Sequence, residues 1–245
     1  MVPPAESVMR ASDSSSAEAR GQGLQVALAV SLYGVSFGAL AVISGFSLWQ
    51  TMVLSLVMFS GASQFALIGI IASGGAAAGL AAVLSAGLLG VRNSLYSLRM
   101  SPLLGVRGGL RILAAHLTID ESTAVGSAQT SVESSRVGFW TTGIALFLGW
   151  NAMTLLGAIL GDILGDVRTY GLDAAAAAAF LGLVWPWLTR GEPVVVAVSA
   201  AVVTVALVPA LPAGVPVLIV ALGAIVFGLY RHRVAPHAPP REEAI

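Results

Sequence analysis

The run Ser60-Gly61-Ala62-Ser63-Gln64 is a small, polar break inside a long apolar stretch. Gly61 allows a helix to unwind, and the side chains of Ser63 and Gln64 supply hydrogen-bond donors and acceptors. At membrane depth, freed backbone groups are tolerated only where they are buried in protein or line a cavity, and transporters use such broken helices as substrate sites. We therefore predict substrate contacts at Gly61, Ser63 and Gln64. The alternative is tight packing of small residues between helices, with Gln64 as an interhelical hydrogen bond.

A second group of functional candidates comprises Arg92, Asn93, Tyr96 and Arg99. In a helix, Arg92, Tyr96 and Arg99 share one face because residues i, i+4 and i+7 align. The planar guanidinium of Arg92 suits a substrate carboxylate, so we predict that Arg92 and Asn93 bind substrate. The alternative for Arg92 is a cytoplasmic topology anchor whose side chain reaches the membrane interface. For Arg99 the anchor is the preferred interpretation.

The mixed segment 112–129 adds His116, Asp120 and Glu121, with His116 and Asp120 spaced to share one helical face. Acidic groups near hydrocarbon are costly, and they usually line a bundle interior, a proton relay or a cation site. We predict that Asp120 and Glu121 couple transport to protons. The alternative is that one of them caps a helix start or pairs with a nearby arginine.

No metal-ligand spacing, nucleotide-binding loop, nucleophile–base pair or cofactor motif is visible in the sequence. We therefore predict neither an enzyme nor a cofactor or metal site. The chain contains no cysteine, which excludes disulfides and thiolate metal sites. Its net charge is zero and it has no basic face, so nucleic acid is not an expected partner.

The elements that must position these residues are apolar helices. Apolar residues make up 57% of the sequence and charged residues 10%, which is typical of a bilayer protein. Each apolar stretch nears the roughly 20 residues that cross a membrane as a helix. We predict an all-α, polytopic integral membrane protein with about seven hydrophobic segments and a broken second helix, since an unbroken second segment would overshoot the bilayer. The segments are 24–43, 46–72, 75–91, 138–160, 172–188, 193–208 and 215–230.

The two ends of the chain differ from the rest in composition. Residues 1–20 are polar and rich in serine, proline and charge, so we predict a disordered tail. Residues 234–245 form a second short tail. The predicted transmembrane transporter domain is 21–233.

Arginines in the short loops indicate the orientation of the chain. They are concentrated in the section 92–136, at Arg190, and at Arg231 and Arg233, which we predict to be cytoplasmic together with the C-terminus. Seven full spans place the N-terminus outside, whereas a second stretch that dips in and returns places it in the cytoplasm. A faint similarity between 37–47 and 156–173 indicates a possible 3+3 inverted repeat of stretches 1–3 and 4–6, a common transporter architecture.

The residues resemble those of a known family, the AzlC-type large subunits of bacterial branched-chain amino acid exporters (the LIV-E family). The resemblance rests on FGALAVISGFS, FSGASQFALIG, LLGVRNSLYSLRMSPLL and HLTIDESTA, and on a later block at 161–186. Together these blocks cover most of residues 24–190, and the GASQFA block is specific. One departure is Arg92-Asn93, where family members commonly carry Arg-His.

The resemblance implies ion-coupled efflux of branched-chain or other hydrophobic amino acids across the bacterial plasma membrane. It also implies a small, separately encoded AzlD-type membrane subunit as partner. A zwitterion in a bilayer needs a partner for each charge: helix ends freed at 61–64, or Arg92, can take the carboxylate, and Asp120 or Glu121 can take the ammonium or the proton. The alternatives are a non-transporting membrane scaffold or sensor subunit and a transporter of another small solute.

Overall fold

The computed structural model describes residues 5–164 and 191–234, together with positions 181, 185 and 188. Within these residues the chain is helical and contains no strand, which confirms the all-α prediction. The predicted fifth segment, 172–188, lies almost entirely outside the described residues. The α-helices are α1 Ala5–Ser31, α2 Tyr33–Ile43, α3 Leu48–Val57, α4 Gly61–Gly74, α5 Gly79–Leu104, α6 Gly109–His116, α7 Asp120–Ser127, α8 Val132–Leu164, α9 Gly191–Leu207 and α10 Val215–Val234.

Three helical stretches are long and apolar enough to cross a membrane, namely Asp13–Ile43, Ala76–Leu104 and Val132–Ile163. Shorter apolar helices accompany them at α3, α4, α9 and α10. Large apolar side chains such as Leu28 and Trp49 are exposed along these helices. So wide an apolar surface is expected where lipid, not water, is the solvent.

The N-terminal residues differ from the prediction. Helix α1 begins at Ala5 and continues to Ser31, so positions 5–20 are helical and not a disordered tail. Ala19 is fully buried, and the Gln129 side-chain amide donates a hydrogen bond to Gln22 Oε1 over 3.1 Å. A polar segment is not expected to form a helix by itself, but a helix that already exists can extend into it at a low free-energy cost per residue. The predicted domain boundary at residue 21 therefore falls inside a helix.

The second apolar stretch is broken, as predicted. Helix α3 ends at Val57, Met58 to Ser60 are not helical, and α4 begins at Gly61. Gly61 to Gln64 thus form the first turn of the second half and are not themselves unwound. A capping box at Ser47 fixes the start of α3, because its hydroxyl accepts from the Gln50 amide over 3.2 Å and its amide donates back to the Gln50 side chain over 2.8 Å.

Small residues bring α2 and α8 into close contact. Gly34 and Gly38 lie four residues apart on α2, and Gly157 and Gly161 have the same spacing on α8. A Cβ atom added at Gly38 would lie well inside contact distance of the Thr154 carbonyl oxygen. Such small-xxx-small pairs allow membrane helices to pack backbone against backbone. Helices α1, α2, α7 and α8 therefore form one packed unit, and α4 packs mainly on α5.

The segments 37–40 and 156–159, which resemble each other in sequence, face each other across this α2–α8 contact. The second half of the proposed inverted repeat includes residues outside the described part of the chain. The 3+3 repeat and the number of spans therefore stay predictions.

Candidate functional site

A cavity of about 460 Å³ lies beside the helix break, where the α1–α2–α7–α8 unit meets α4 and α5. Its polar residues come from the break, α5 and the start of α7, and its apolar residues come from all sides. The polar ones are Ser60, Arg92, Asp120 and Glu121, with the small residues Gly61 and Ala62 beside them. The others are Val30, Tyr33, Phe59, Phe65, Leu89, Ile119, Leu146 and Trp150.

The N-terminus of α4 faces this cavity with unsatisfied backbone amides. Ser60 is extended and its side chain makes no capping hydrogen bond; its hydroxyl donates to Ser63 Oγ over 3.2 Å. The first amide to enter the helical pattern is that of Gln64, which donates to the Ser60 carbonyl over 3.0 Å. The amides of Gly61 and Ala62 have no partner within the described part of the chain. A free helix N-terminus carries partial positive charge and suits an anionic group.

An ion pair between α5 and α7 forms the opposite polar wall. Arg92 Nη2 lies 2.7 Å from Asp120 Oδ2, and Tyr96 donates its hydroxyl hydrogen to Asp120 Oδ1 over 2.8 Å. Arg92 and Tyr96 lie one helical turn apart on α5, as their spacing predicts. The side chains of Arg92 and Asp120 keep exposed fractions of 35% and 40%, so the pair is accessible from the cavity.

Glu121 is the second carboxyl of the cavity. It lies in the first turn of α7, a short helix that is not among the membrane-spanning ones. Burial raises the pKa of Glu121 above its ordinary value, and the negative charge of Asp120 raises it further. Its own backbone amide and the Arg92 guanidinium act in the opposite direction, and burial is the largest of these influences.

Four of the seven predicted site residues line this cavity: Gly61, Arg92, Asp120 and Glu121. The structure does not place Ser63, Gln64 or Asn93 among the lining residues. The side chain of Asn93 is half-buried on α5, and its Oδ1 has no partner within the described part of the chain.

Gln64 is fully buried between the two halves of the broken helix. Its side-chain amide donates to the carbonyl oxygens of Leu54 and Ser55 over 3.4 and 3.5 Å. Gln64 therefore satisfies the carboxyl end of α3. The structure thus favours, for Gln64, the helix-packing alternative stated above.

A further prediction about this region concerns His116 and Asp120. The expectation that His116 and Asp120 share one helical face is wrong, because α6 ends at His116 and α7 begins at Asp120. The intervening turn is held by Ser122, whose hydroxyl donates to the Leu117 carbonyl over 2.6 Å. His116 instead packs its ring against Phe59, with 6.0 Å between the ring centroids.

Trp150 is one of the cavity residues that the sequence does not predict. Its exposed fraction is 4%, its ring stacks on Phe37 at 6.2 Å, and it meets Phe65 edge to face at 6.4 Å. A Cβ atom added at Gly61 would lie 3.1 Å from Trp150 Cη2, so the indole lies directly beneath the helix break. Its signal in the sequence is its mid-span position, since tryptophan in membrane proteins is enriched at the interfaces.

The arrangement suits a small solute with charges at one end and an apolar body. Helix N-terminus and guanidinium offer positive charge, the two carboxyls offer negative charge, and the aromatic and aliphatic walls offer apolar contact. Among the described residues, no group of three or more histidine, cysteine, aspartate or glutamate side chains is placed to hold a metal ion.

Comparison with known proteins gives one match. A family model described as AzlC protein matches residues 25–164, which include every residue that lines the cavity. No curated protein and no solved structure matches the chain significantly.

Proposed function

Because the chain belongs to the AzlC family, we propose that this membrane protein, whose family has a transport-related function, is a secondary exporter of branched-chain or other hydrophobic amino acids. It acts with a small AzlD-type membrane subunit, in the bacterial plasma membrane, with its C-terminus in the cytoplasm. The amino acid leaves against its gradient while protons enter.

The observation that carries this proposal is the charge pattern of one cavity. The free amides of Gly61 and Ala62 and the guanidinium of Arg92 provide positive charge for an α-carboxylate. Asp120 or Glu121 provides negative charge for the α-ammonium. An α-amino acid is the simplest metabolite class that carries both charges on neighbouring atoms.

The remaining walls support an aliphatic side chain. Phe65, Leu146 and Trp150 are almost fully buried, so the surface that they present to the cavity is apolar and fixed by packing. Burial of apolar ligand area yields about 25 cal/mol per Å², which favours leucine-like over polar side chains.

Counterflow in proteoliposomes tests the proposal. Vesicles that contain the full-length chain and an AzlD-type subunit are loaded with unlabelled leucine, and we expect transient accumulation of external labelled leucine. 4-Methylpentanoate, which is leucine without the ammonium, and isoamylamine, which is leucine without the carboxylate, should compete poorly because each leaves one charged wall unmatched. Arg92→Lys should weaken counterflow, since an ammonium cannot reproduce the guanidinium fork.

A scaffold or sensor subunit predicts a different result. In that case the partner alone, or neither protein, would exchange leucine, and Arg92→Lys would leave the flux unchanged. Competition by polar solutes in preference to leucine would instead indicate a transporter of another small solute.

A further inference from the structure

We propose that the two neighbouring acids have separate roles: Asp120 is a fixed anion that holds Arg92, whereas Glu121 binds either the substrate ammonium or the coupling proton, but not both at once. This inference deepens the proposed function and rests on it. It makes exchange of proton and amino acid obligatory at a single carboxyl group.

The carboxylate of Asp120 is bound by two side chains of α5. Both of its carboxylate oxygens are occupied, Oδ2 by Arg92 at 2.7 Å and Oδ1 by the Tyr96 hydroxyl at 2.8 Å. Arg92 and Tyr96 come from the same face of α5, so Asp120 also ties α7 to α5. These two charge-assisted contacts of Asp120 position this wall of the cavity.

The carboxyl group of Glu121 has a different environment. It follows Asp120 directly in the first turn of α7, and within the described residues its side chain has no ion pair and no hydrogen bond from another side chain. It lines the cavity and is half-buried there. A carboxyl group that is removed from water and lacks a cationic partner of its own accepts a proton more readily.

Charged and titratable groups face Glu121 from α7, α5, α2 and α6. Asp120 lies beside it on α7, and Arg92 and Tyr96 face it from α5. Tyr33 of α2 lines the same cavity, and His116 of α6 packs behind the cavity residue Phe59. Arg92 is already paired with Asp120, so the charge of an ionised Glu121 is left for a cation in the cavity.

The exchange then follows from charge balance. With Glu121 ionised, the substrate ammonium is its natural counter-ion, and the amino acid binds. When a hydronium ion transfers a proton to a carboxylate oxygen of Glu121, water leaves and Glu121 becomes neutral. The substrate ammonium then has no counter-ion at this position. One proton therefore enters for each zwitterion that leaves. Ionised Glu121 with neither a proton nor an ammonium bound is not stabilised by either ligand.

The test is the pH dependence of leucine affinity, measured with the full-length chain and its AzlD-type subunit. Competition predicts that the apparent Kd rises about tenfold per pH unit below the pKa of Glu121, because only the ionised fraction binds. Glu121→Gln should bind leucine weakly and with no such slope. Asp120→Asn should also weaken binding but should keep the slope, and Glu133→Gln, an acid-to-amide change on α8 away from the cavity, should match the wild type at every pH.

A second measurement needs no variant. Leucine added to the weakly buffered wild-type protein below the pKa of Glu121 should release protons, and no release would overturn the inference. A slope that persists in Glu121→Gln, or that disappears in Asp120→Asn alone, would overturn it as well. These failures differ from failure of the proposed function, in which the wild type would bind and exchange no leucine at any pH.

Discussion

Replacement of Gly38 with alanine tests the close α2–α8 contact on which the cavity depends. The added Cβ would lie well inside contact distance of the Thr154 carbonyl oxygen and 2.7 Å from the Ala158 amide nitrogen, whereas ordinary contacts are 3.4–4 Å. Both partners are backbone atoms of a continuous helix. No side-chain rotation relieves the clash, so α2 must move away from α8.

The magnitude follows from two opposing effects. Overpacking of a close interface costs about 1–3 kcal/mol, and a clash with backbone on both sides belongs at the upper end. Alanine in place of a helical glycine returns about 0.5–1 kcal/mol. The net loss for Gly38→Ala is therefore about 2 kcal/mol, which corresponds to a fall in Tm of about 4–8 °C for a protein of this size.

Thermal unfolding in detergent, followed by tryptophan fluorescence, measures this loss. The matched control is Gly87→Ala on α5, where an added Cβ meets nothing within 4 Å. We expect its Tm to stay unchanged or to rise slightly. An unchanged Tm in Gly38→Ala, or an equal loss in Gly87→Ala, would refute the packing argument.

Four further predictions follow from the described residues. Burial raises the pKa of Glu121, so the folded protein binds more protons than the unfolded chain as pH falls through the raised pKa. The Tm of the wild type should therefore rise relative to the Tm of Glu121→Gln over this pH range. Parallel plots of Tm against pH for the two proteins would contradict this. Ser47→Ala should lower stability by about 1 kcal/mol in a denaturant titration through loss of the α3 cap, and an unaltered midpoint would argue against the cap. Gln64→Leu should cost about 1–3 kcal/mol, measured as lower thermal stability, because the Ser55 carbonyl loses the Gln64 amide, whereas the Leu54 carbonyl keeps the Met58 amide as a donor; a fully stable variant that fails only in transport would place Gln64 in the substrate path. A C-terminal reporter that fluoresces only outside the cytoplasm should stay dark, and a bright signal would reverse the proposed orientation.

The helical class and the broken second helix were predictable from sequence because their causes are local. Apolar runs of about 20 residues specify membrane helices whatever their neighbours are. The break at Met58 to Ser60 likewise has a local cause, because glycine and small polar residues begin there inside an overlong stretch. The extent of α1 was not predictable in this way, since it depends on contacts with α7 and α8.

The orientation of the buried Gln64 side-chain amide is not determined by the neighbouring sequence. Gln64 in a broken helix is compatible with a cavity wall or with an interhelical hydrogen bond, and the same spacing permits both. The outcome depends on where the end of α3 lies, because the Leu54 and Ser55 carbonyls are what the Gln64 amide reaches. The sequence identifies Gln64 as a functional candidate, and the packing of the two half-helices determines which groups its side chain contacts.

For Arg92 the sequence predicted substrate binding, with a topology anchor as the alternative, and for Asp120 it predicted proton coupling, with pairing to a nearby arginine as the alternative. The structure shows Arg92 and Asp120 paired with each other in the cavity lining. Since each side chain is more than one third exposed, the net contribution of the pair to stability is about 0–1 kcal/mol. Asp120 occupies Arg92 Nη2, and Arg92 Nε has no hydrogen-bond partner within the described residues. A guanidinium has five N–H donors, so a zwitterion can bring its own carboxylate to Arg92 while Asp120 stays bound to Nη2.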